Sequence, residues 1–396
     1  MPSANSREQL RLGVLENIFG PDHGLIDPAT AAIVLTVGSV ARIDQPSIRT
    51  LTKYPGDVHA PVASASECPS VFTRTGICDG RGGGLHRSVK PELVAYGGNN
   101  LLKLAVPPYD WGNDPHLGEP SLAFDYQSQN RLFASACGTS FAAPFVTHIA
   151  ARVEHMFKSM GTPASLNLIR ALIVNSANHA QVARSFIESH RTSDAELSIL
   201  RAMGYGKPIP EAALYSAENR VVLYAEDEVA EDHYDLYELV LPEEFVRGSG
   251  RRRINLTLAY DPPVRGARKE YLARTMWFEL FRDATARQIQ MHQAGTLTTP
   301  ITSETLSPKE SRLEWSTVQS ASFEARNSMK LAKNGVPRVF HVLVGCQKRF
   351  PSGEDAFQRY ALVATLEHER NDVQLYEAVR TQLQARRVQT RARVRV

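Results

Sequence analysis

The sequence predicts an α/β domain over residues 1–215, followed by an antiparallel β-sandwich over residues 216–396. Residues 31–41 (AAIVLTVGSVA) form an apolar, β-branched run that is typical of a buried parallel strand. After Gly138, apolar residues recur every three or four positions, as they do on one face of a helix. From about residue 215 the period shortens to two, which indicates strands with one buried face.

The elements of the first domain follow from local patterns. Residues 93–96 (LVAY) precede a Gly-Gly pair and predict a short strand. Ser165 is placed to cap a second helix, whose apolar face is Leu168, Ile169, Leu172 and Ile173. The helix that begins near Ser140 should bury one apolar stripe along its length. The stripe consists of Phe145, Ile149, Val153, Met156, Phe157 and Met160.

The second domain is predicted from six strand-like runs, with the boundary near residues 206–218. In the run RINLTLAY, Ile254, Leu256 and Leu258 alternate with polar residues, so this strand should bury one face only. Such a sandwich should fold when residues 216–396 are expressed alone. The six runs are VVLYA, YDLYELVLP, RINLTLAYDPP, RTMWFELF, RVFHVLVG and RYALVATLEH.

Composition excludes several classes of partner. Hydrophobic residues make up 43% and charged residues 22% of the chain, as in ordinary soluble proteins. No run of 18 apolar residues or signal peptide is visible, so we expect no membrane partner and a bacterial cytoplasmic location. The net charge of +3 gives no reason to expect nucleic acid. The basic segment 386–396 alternates Arg with Val or Ala, which favours a half-buried strand over a site for an anionic partner.

Metal and cofactor chemistry are not predicted. The four cysteines form no CxxC pair, and the pattern of a cytosolic protein with free thiols fits them best. The twelve histidines form no HExxH or similar helical pair. We therefore expect neither a metal site nor a bound cofactor.

The segment that carries chemistry is ACGTSFAAP, residues 136–144. A glycine turn places Ser140 at the start of a long helix, where the dipole and unpaired amides favour developing negative charge. Pro144 is tolerated in the first turn because it has no amide to lose. This arrangement suits a nucleophilic hydroxyl next to its oxyanion donor. The same spacing also fits a serine that merely caps the helix.

Residues 138–144 (GTSFAAP) resemble the GTSxAxP nucleophile motif of the subtilisin-like serine peptidases, a highly specific signature. Three further segments resemble the same family: LTVGSV (residues 35–40), KPELVAYGG (90–98) and LIRALIVNSA (168–177). The resemblance covers about residues 1–215 and is greatest to bacterial members with a C-terminal β-domain. It implies that Ser140 is the nucleophile and that the substrate is a protein or peptide.

The family also places an oxyanion-hole asparagine in a Ser-Ala-Gly-Asn turn ahead of the TVGA strand. The matching residues here are Ser3-Ala4-Asn5, which lack the glycine. The resemblance therefore implies Asn5 as a possible oxyanion donor, a contribution of roughly 3 kcal/mol to transition-state binding. The alternative is an N-terminal asparagine with no role.

The catalytic acid and base are not found in the expected places. Subtilisin-like chains run Asp, His, Asn, Ser, yet only four residues precede Asn5. The adjacent Asp22 and His23 make a poor pair, because triad members come from separate elements. His148 is eight residues along the helix, about 12 Å of rise from Ser140.

The resemblance thus implies a serine endopeptidase with an incomplete catalytic domain, inactive as an isolated chain. We expect an N-terminal complementing segment to carry the missing Asp and His. Two other hypotheses stay open at this point. One is that the chain is a non-catalytic protein-interaction module, and the other is that it is a truncated gene fragment.

Overall fold

The computed structural model describes residues 4–53, 62–76, 88–103, 110–112, 114–121, 133–191, 194–246, 249–266, 270–298, 300–309, 312–326, 339–353, 356–370 and 373–379. Helices and strands are mixed, and most of the strand pairs are antiparallel. The predicted strand at 386–396 lies outside the described residues. No helix in the described ranges is both long and apolar enough to cross a bilayer.

The first elements alternate helices with short strands. In chain order they are α1 (Ala4–Ile18), β1 (Val37–Val40), α2 (Ile48–Lys53), β2 (Leu93–Tyr96), β3 (Leu101–Lys103), β4 (Asp110–Gly112), β5 (Glu119–Ser121), β6 (Ala134–Ala136), α3 (Thr139–Ser159), α4 (Leu166–Asn175), β7 (Ala177–Asn178), α5 (Gln181–His190), α6 (Ala195–Met203) and β8 (Lys207–Pro208).

The later elements are mainly strands. They are α7 (Pro210–Leu214), β9 (Arg220–Ala230), β10 (Tyr234–Val240), α8 (Glu243–Val246), β11 (Arg252–Tyr260), β12 (Arg274–Arg282), α9 (Ala286–Gln293), β13 (Val318–Ala325), β14 (Val339–Lys348) and β15 (Phe357–His368). All six predicted strand runs are confirmed, and β13 was not predicted.

The chain divides into two compact units. The first comprises residues 1–153 and 176–210, and the second comprises 154–175 and 211–396. The segment 154–175, which contains α4, therefore belongs to the second unit. The predicted domain division at residues 215 and 216 stays a prediction.

In the first unit, β1 and β2 run parallel, with Val37 opposite Leu93 and Val40 opposite Tyr96. The predicted parallel strand within residues 31–41 is thus confirmed, but it is shorter and begins only at Val37. Ile33 and Val34, which precede it, are 37% and 59% exposed. Helices α1, α5 and α6 contribute to the same core as these strands. Its buried members are Leu15, Ile18, Val40, Cys68, Val94, Ala183, Ile187, Ile199, Ala202 and Met203.

The second unit contains two antiparallel sheets, ordered β10-β14-β12 and β13-β11-β15-β9. The predicted one-sided burial of β11 is wrong. Asn255 and Thr257 are 6% and 0% exposed, although they lie on the face of the strand opposite to Ile254, Leu256 and Leu258. The helix α4 packs on β11, β13 and β15, so both faces of the central strand are covered.

Buried polar groups join α4 to the four-stranded sheet. The Asn175 side-chain amide donates to Thr257 Oγ1 at 3.0 Å, and the Asn255 amide donates to Asn175 O at 3.0 Å. Arg170 donates to Tyr260 O at 3.2 Å and to Thr317 Oγ1 at 2.8 Å. These bonds satisfy polar groups that burial would otherwise make costly. The polar positions of β11 therefore face a helix and not solvent.

Candidate active site

A tight turn sets the start of α3. Strand β6 ends at Ala136. Gly138 then turns the chain with a φ of 155°, a backbone conformation that residues with a side chain rarely adopt. The Phe141 amide then donates to Gly138 O at 3.0 Å and closes the first helical turn. Ser140 lies in this first turn and is exposed. The prediction that Ser140 lies at the start of a helix ending near Met160 is confirmed.

The turn is fixed to the ends of the parallel strands. The Gly97 amide, just after β2, donates to Val40 O of β1 at 3.2 Å. The Gly138 amide donates to Gly97 O at 2.8 Å, and the Cys137 thiol donates to Asn99 O at 3.1 Å. The site therefore lies at the carboxyl ends of parallel strands, a frequent place for sites in α/β sheets.

Close packing explains the glycine at position 97. A Cβ on Gly97 would lie 2.3 Å from Ser39 Oγ and 2.7 Å from Gly138 O. Ser39 is fully buried, and its hydroxyl shares a 3.0 Å hydrogen bond with that of Ser70. The backbone of Gly138 must then move if Gly97 gains a side chain.

We expect Gly97→Ala to destabilise the first unit by about 1–3 kcal/mol, as overpacking does. The shift of Gly138 should also displace Ser140. Thermal unfolding measures the first effect. Gly13→Ala is the matched control, because nothing lies within 4 Å of a Cβ there and alanine suits the interior of α1. Equal stability of the two variants would show that the Gly97 contact imposes no constraint.

A charged cluster adjoins the turn and was missed from the sequence. The Lys207 ammonium lies 3.8 Å from the centre of the Tyr96 ring and donates to Glu67 Oε2 at 2.8 Å. The Tyr96 hydroxyl also donates to Glu67. Burial raises the pKa of Tyr96, and its hydrogen bond to Glu67 adds to this effect. Because Tyr96 immediately precedes Gly97, this cluster holds the strand end on which the turn rests.

A buried carboxylate on β5 was also missed. Glu119 lies opposite Ala136 in the β5–β6 pair and is 7% exposed. It forms an ion pair with Arg42. Burial nevertheless raises the pKa of Glu119, and burial likewise raises the pKa of the neighbouring Cys137 thiol. No sequence motif marks these residues, because their proximity arises from the hairpin.

The described residues bring no histidine into hydrogen-bond contact with the Ser140 hydroxyl. His23 lies in the turn Pro21–His23 and is 3.3 Å from the Asn17 side chain. His148 is exposed on α3, and His116 is exposed beside Asp114. His86 lies outside the described residues. The chemistry available here is a hydroxyl at a helix N-terminus.

Asn5 is placed in the first turn of α1, and its side chain lies outside the described residues. Its role at an oxyanion stays a prediction. Within the described ranges, no group of three or more His, Cys, Asp or Glu side chains is arranged to hold a metal ion.

Comparisons with known proteins match the part of the chain that contains this site to one family. A sequence profile described as Peptidase_S8, subtilase family, matches residues 17–206, which include Ser140. An uncharacterized protein of Sinorhizobium fredii, y4bN, is 34% identical over 397 residues, covering 97% of this chain and 85% of the relative.

Two solved structures have only slight similarity to this chain. The capsid asymmetric unit of cyanophage Pam1 is 12% identical, over 38% of this chain and 84% of that one, with a TM-score of 0.17. Dimeric latent PorU from Porphyromonas gingivalis is 9% identical, over 39% and 13% of the two chains, also with a TM-score of 0.17.

Proposed function

Because this chain belongs to the subtilase family of serine peptidases, we propose that it hydrolyses peptide bonds through an acyl-enzyme on Ser140. The Ser140 hydroxyl attacks the scissile carbonyl and gives its proton to a histidine base. The same histidine protonates the leaving amine, and a water then releases the acyl group from Ser140. The substrate is a protein or peptide.

The placement of Ser140 is the observation that supports this proposal most directly. The hydroxyl is exposed, as a nucleophile must be, at the N-terminus of a helix that ends at Ser159. The first amides of a helix have no partner within the helix. In this proposal the Ser140 amide donates to the oxyanion that forms on attack. The Gly97–Gly138 bond holds this turn rigidly on the sheet.

The base and acid come, in this proposal, from a complementing segment outside the 396 residues. The outer face of α3 supports such a partner, because it exposes apolar side chains beside the polar Thr147 and His148. Phe145 is 41% exposed, and Ala143, Pro144 and Ala151 are exposed beside it. The first three turns of α3 carry no Lys, Arg, Asp or Glu before Arg152. Exposed apolar side chains that lie together in this way are a candidate contact surface for a partner.

Labelling by a fluorophosphonate probe tests the proposal. The 396-residue chain alone should label slowly. Co-expression with the polypeptide encoded immediately upstream should accelerate labelling by roughly 100-fold or more, the contribution of a general base. Ser140→Ala should abolish labelling. Ser165→Ala is the matched control, because Ser165 is also an exposed serine at a helix start, where it caps α4 through a 3.1 Å bond from the Leu168 amide.

Three results would contradict the proposal. Fast labelling of Ser140 in the chain alone would mean that the chain contains its own base. A stable complex with the upstream polypeptide that never labels would favour the alternative function, a non-catalytic interaction module. Failure to bind any upstream product and to label would favour a gene fragment without activity.

We further propose that the two antiparallel sheets of the second unit form a sandwich. Side chains of one sheet form hydrogen bonds to the other. Tyr237 of β10 and Tyr360 of β15 have hydroxyls 2.5 Å apart, and Gln319 of β13 donates to Met276 O of β12 at 2.7 Å. Burial raises the pKa of Tyr360, as expected for a hydroxyl enclosed between layers.

A further inference from the structure

The edge strand β9 has an unpaired side. It pairs with β15 through eleven residue pairs, and no strand in the described part of the chain pairs with its other edge. On that edge the Val222 amide donates to Ser216 Oγ at 3.1 Å and the Glu228 amide to Asp227 Oδ1 at 3.0 Å. The backbone N–H and C=O groups of successive residues in a strand point to opposite edges. Those of Tyr224 and Glu226 therefore point to the same open edge as those of Val222 and Glu228. An open edge of this kind is a template for another strand.

The open edge is acidic. Glu226 and Glu228 are both exposed and lie on the same face of β9. Glu228 lies 3.8 Å from Arg359, and both side chains of this pair are more than half exposed, so the pair contributes little. Glu226 accepts a bond from the Ser165 amide at 3.1 Å. In the described residues Glu226 has no ion pair with a basic side chain, and Glu228 has only the long, exposed pair with Arg359.

The chain itself supplies a complementary segment. Residues 386–396 (RRVQTRARVRV) contain five arginines and no acidic residue. Arg391, Arg393 and Arg395 alternate with Ala392, Val394 and Val396, the period of a strand with one charged face.

The last described residues leave the fold beside the start of β9. The Leu375 and Tyr376 amides donate to Glu218 O at 2.7 and 3.2 Å, two residues before Arg220. Val379 is 4% exposed, and residues 380–396 follow it outside the described ranges. Seventeen residues can extend about 56 Å, whereas the eleven residues of β9 span about 36 Å. The segment can therefore reach the whole edge.

We propose that residues 386–396 dock on the open edge of β9 as an added strand. In this arrangement Arg391, Arg393 and Arg395 share a face with Glu226 and Glu228. Backbone bonds to Tyr224 and Glu226 provide the pairing, and opposite charges set the face that each side chain takes. The tether raises the effective concentration of the segment into the millimolar range. This docking is independent of the peptidase proposal.

Hydrogen–deuterium exchange of the full chain tests the docking. A variant that ends at residue 385 should exchange the Tyr224 and Glu226 amides about tenfold faster or more, since they would lose their partner. Exchange of the central strand β11 should stay unchanged and serves as the internal control. Glu226→Lys with Glu228→Lys should give the same loss. Adding Arg391→Glu, Arg393→Glu and Arg395→Glu to that variant should restore protection.

Other outcomes would overturn the proposal. Equal exchange with and without residues 386–396 would mean that the segment does not dock on β9. Protection that increases with protein concentration, together with a dimer in light scattering, would assign the edge to the segment of a second copy. Loss of protection in the Lys variant without recovery in the combined variant would mean that the lysines disturb β9 itself.

Discussion

A fragment of residues 216–396 should show no cooperative thermal transition, whereas residues 154–175 joined by a flexible linker to 211–396 should show one. The reason is α4. Residues 167–175 of this helix are all buried, and α4 packs on β11, β13 and β15. The shorter fragment exposes the sheet face that α4 covers, including Thr257 and Thr365.

The stability that the second unit loses without α4 should be large. Leu168, Ile169, Leu172 and Ile173 are each at most 8% exposed. Burial of such a side chain contributes about 1.5–3 kcal/mol, so losing the contacts of two or three of them costs about 3–9 kcal/mol. A whole domain is stable by only about 5–15 kcal/mol. The shorter fragment also loses the hydrogen bonds that Asn175 and Arg170 make to the sheet.

The measurement is circular dichroism of both fragments during heating, with urea unfolding as a second probe. Asn175→Ala in the linked fragment is the graded test, since it removes the amide that bonds Thr257 and should lower stability by about 1–3 kcal/mol. If residues 216–396 alone unfold as cooperatively as the linked fragment, α4 is dispensable and the sequence-based expectation of an independent domain is correct.

The strands were predictable because each one is a local pattern, but their surroundings were not. Alternation located β11, yet Asn255 and Thr257 looked like a solvent face. They are buried because Asn175, about 80 residues earlier, supplies the hydrogen bonds. Strand β13 was missed for a related reason. Its Gln319, Ser320 and Ser322 are buried polar residues, and the positions that alternate with them from residue 321 to 325 include one large apolar side chain, Phe323.

The candidate site divides in the same way. The motif GTSFAAP gave the position of Ser140 and the helix that follows, since both depend on neighbouring residues. The stripe on α3 was partly wrong, because Phe145 and Met160 are 41% and 57% exposed, while Ala142 and Val146 are buried. The supports of the turn, such as Glu119 and Lys207, come from distant segments that only the folded chain brings together.

A buried ion pair joins the starts of β1 and β2. Lys90 Nζ lies 2.5 Å from Glu92 Oε1, and the two side chains are 4% and 3% exposed. Lys90 also donates to Val34 O at 2.6 Å, and the Thr36 amide donates to Glu92 Oε2 at 2.7 Å. The pair therefore ties the chain before β1 to the chain before β2. Removing one partner of such a pair leaves a charge buried without compensation.

Glu92→Gln should destabilise the first unit by about 3–5 kcal/mol, because the buried ammonium of Lys90 loses its counter-charge. For a unit of this size the melting temperature should fall by about 6–20 °C. Adding Lys90→Met to Glu92→Gln should recover much of the loss, since the glutamine still accepts from Thr36 and no buried charge remains. Glu188→Gln is the control within the same unit, because its pair with Arg184 is exposed and the change should cost at most about 0.5 kcal/mol. A Glu92→Gln transition within 2 °C of the parent, roughly 1 kcal/mol or less, would mean that the pair does not hold the parallel strands in place.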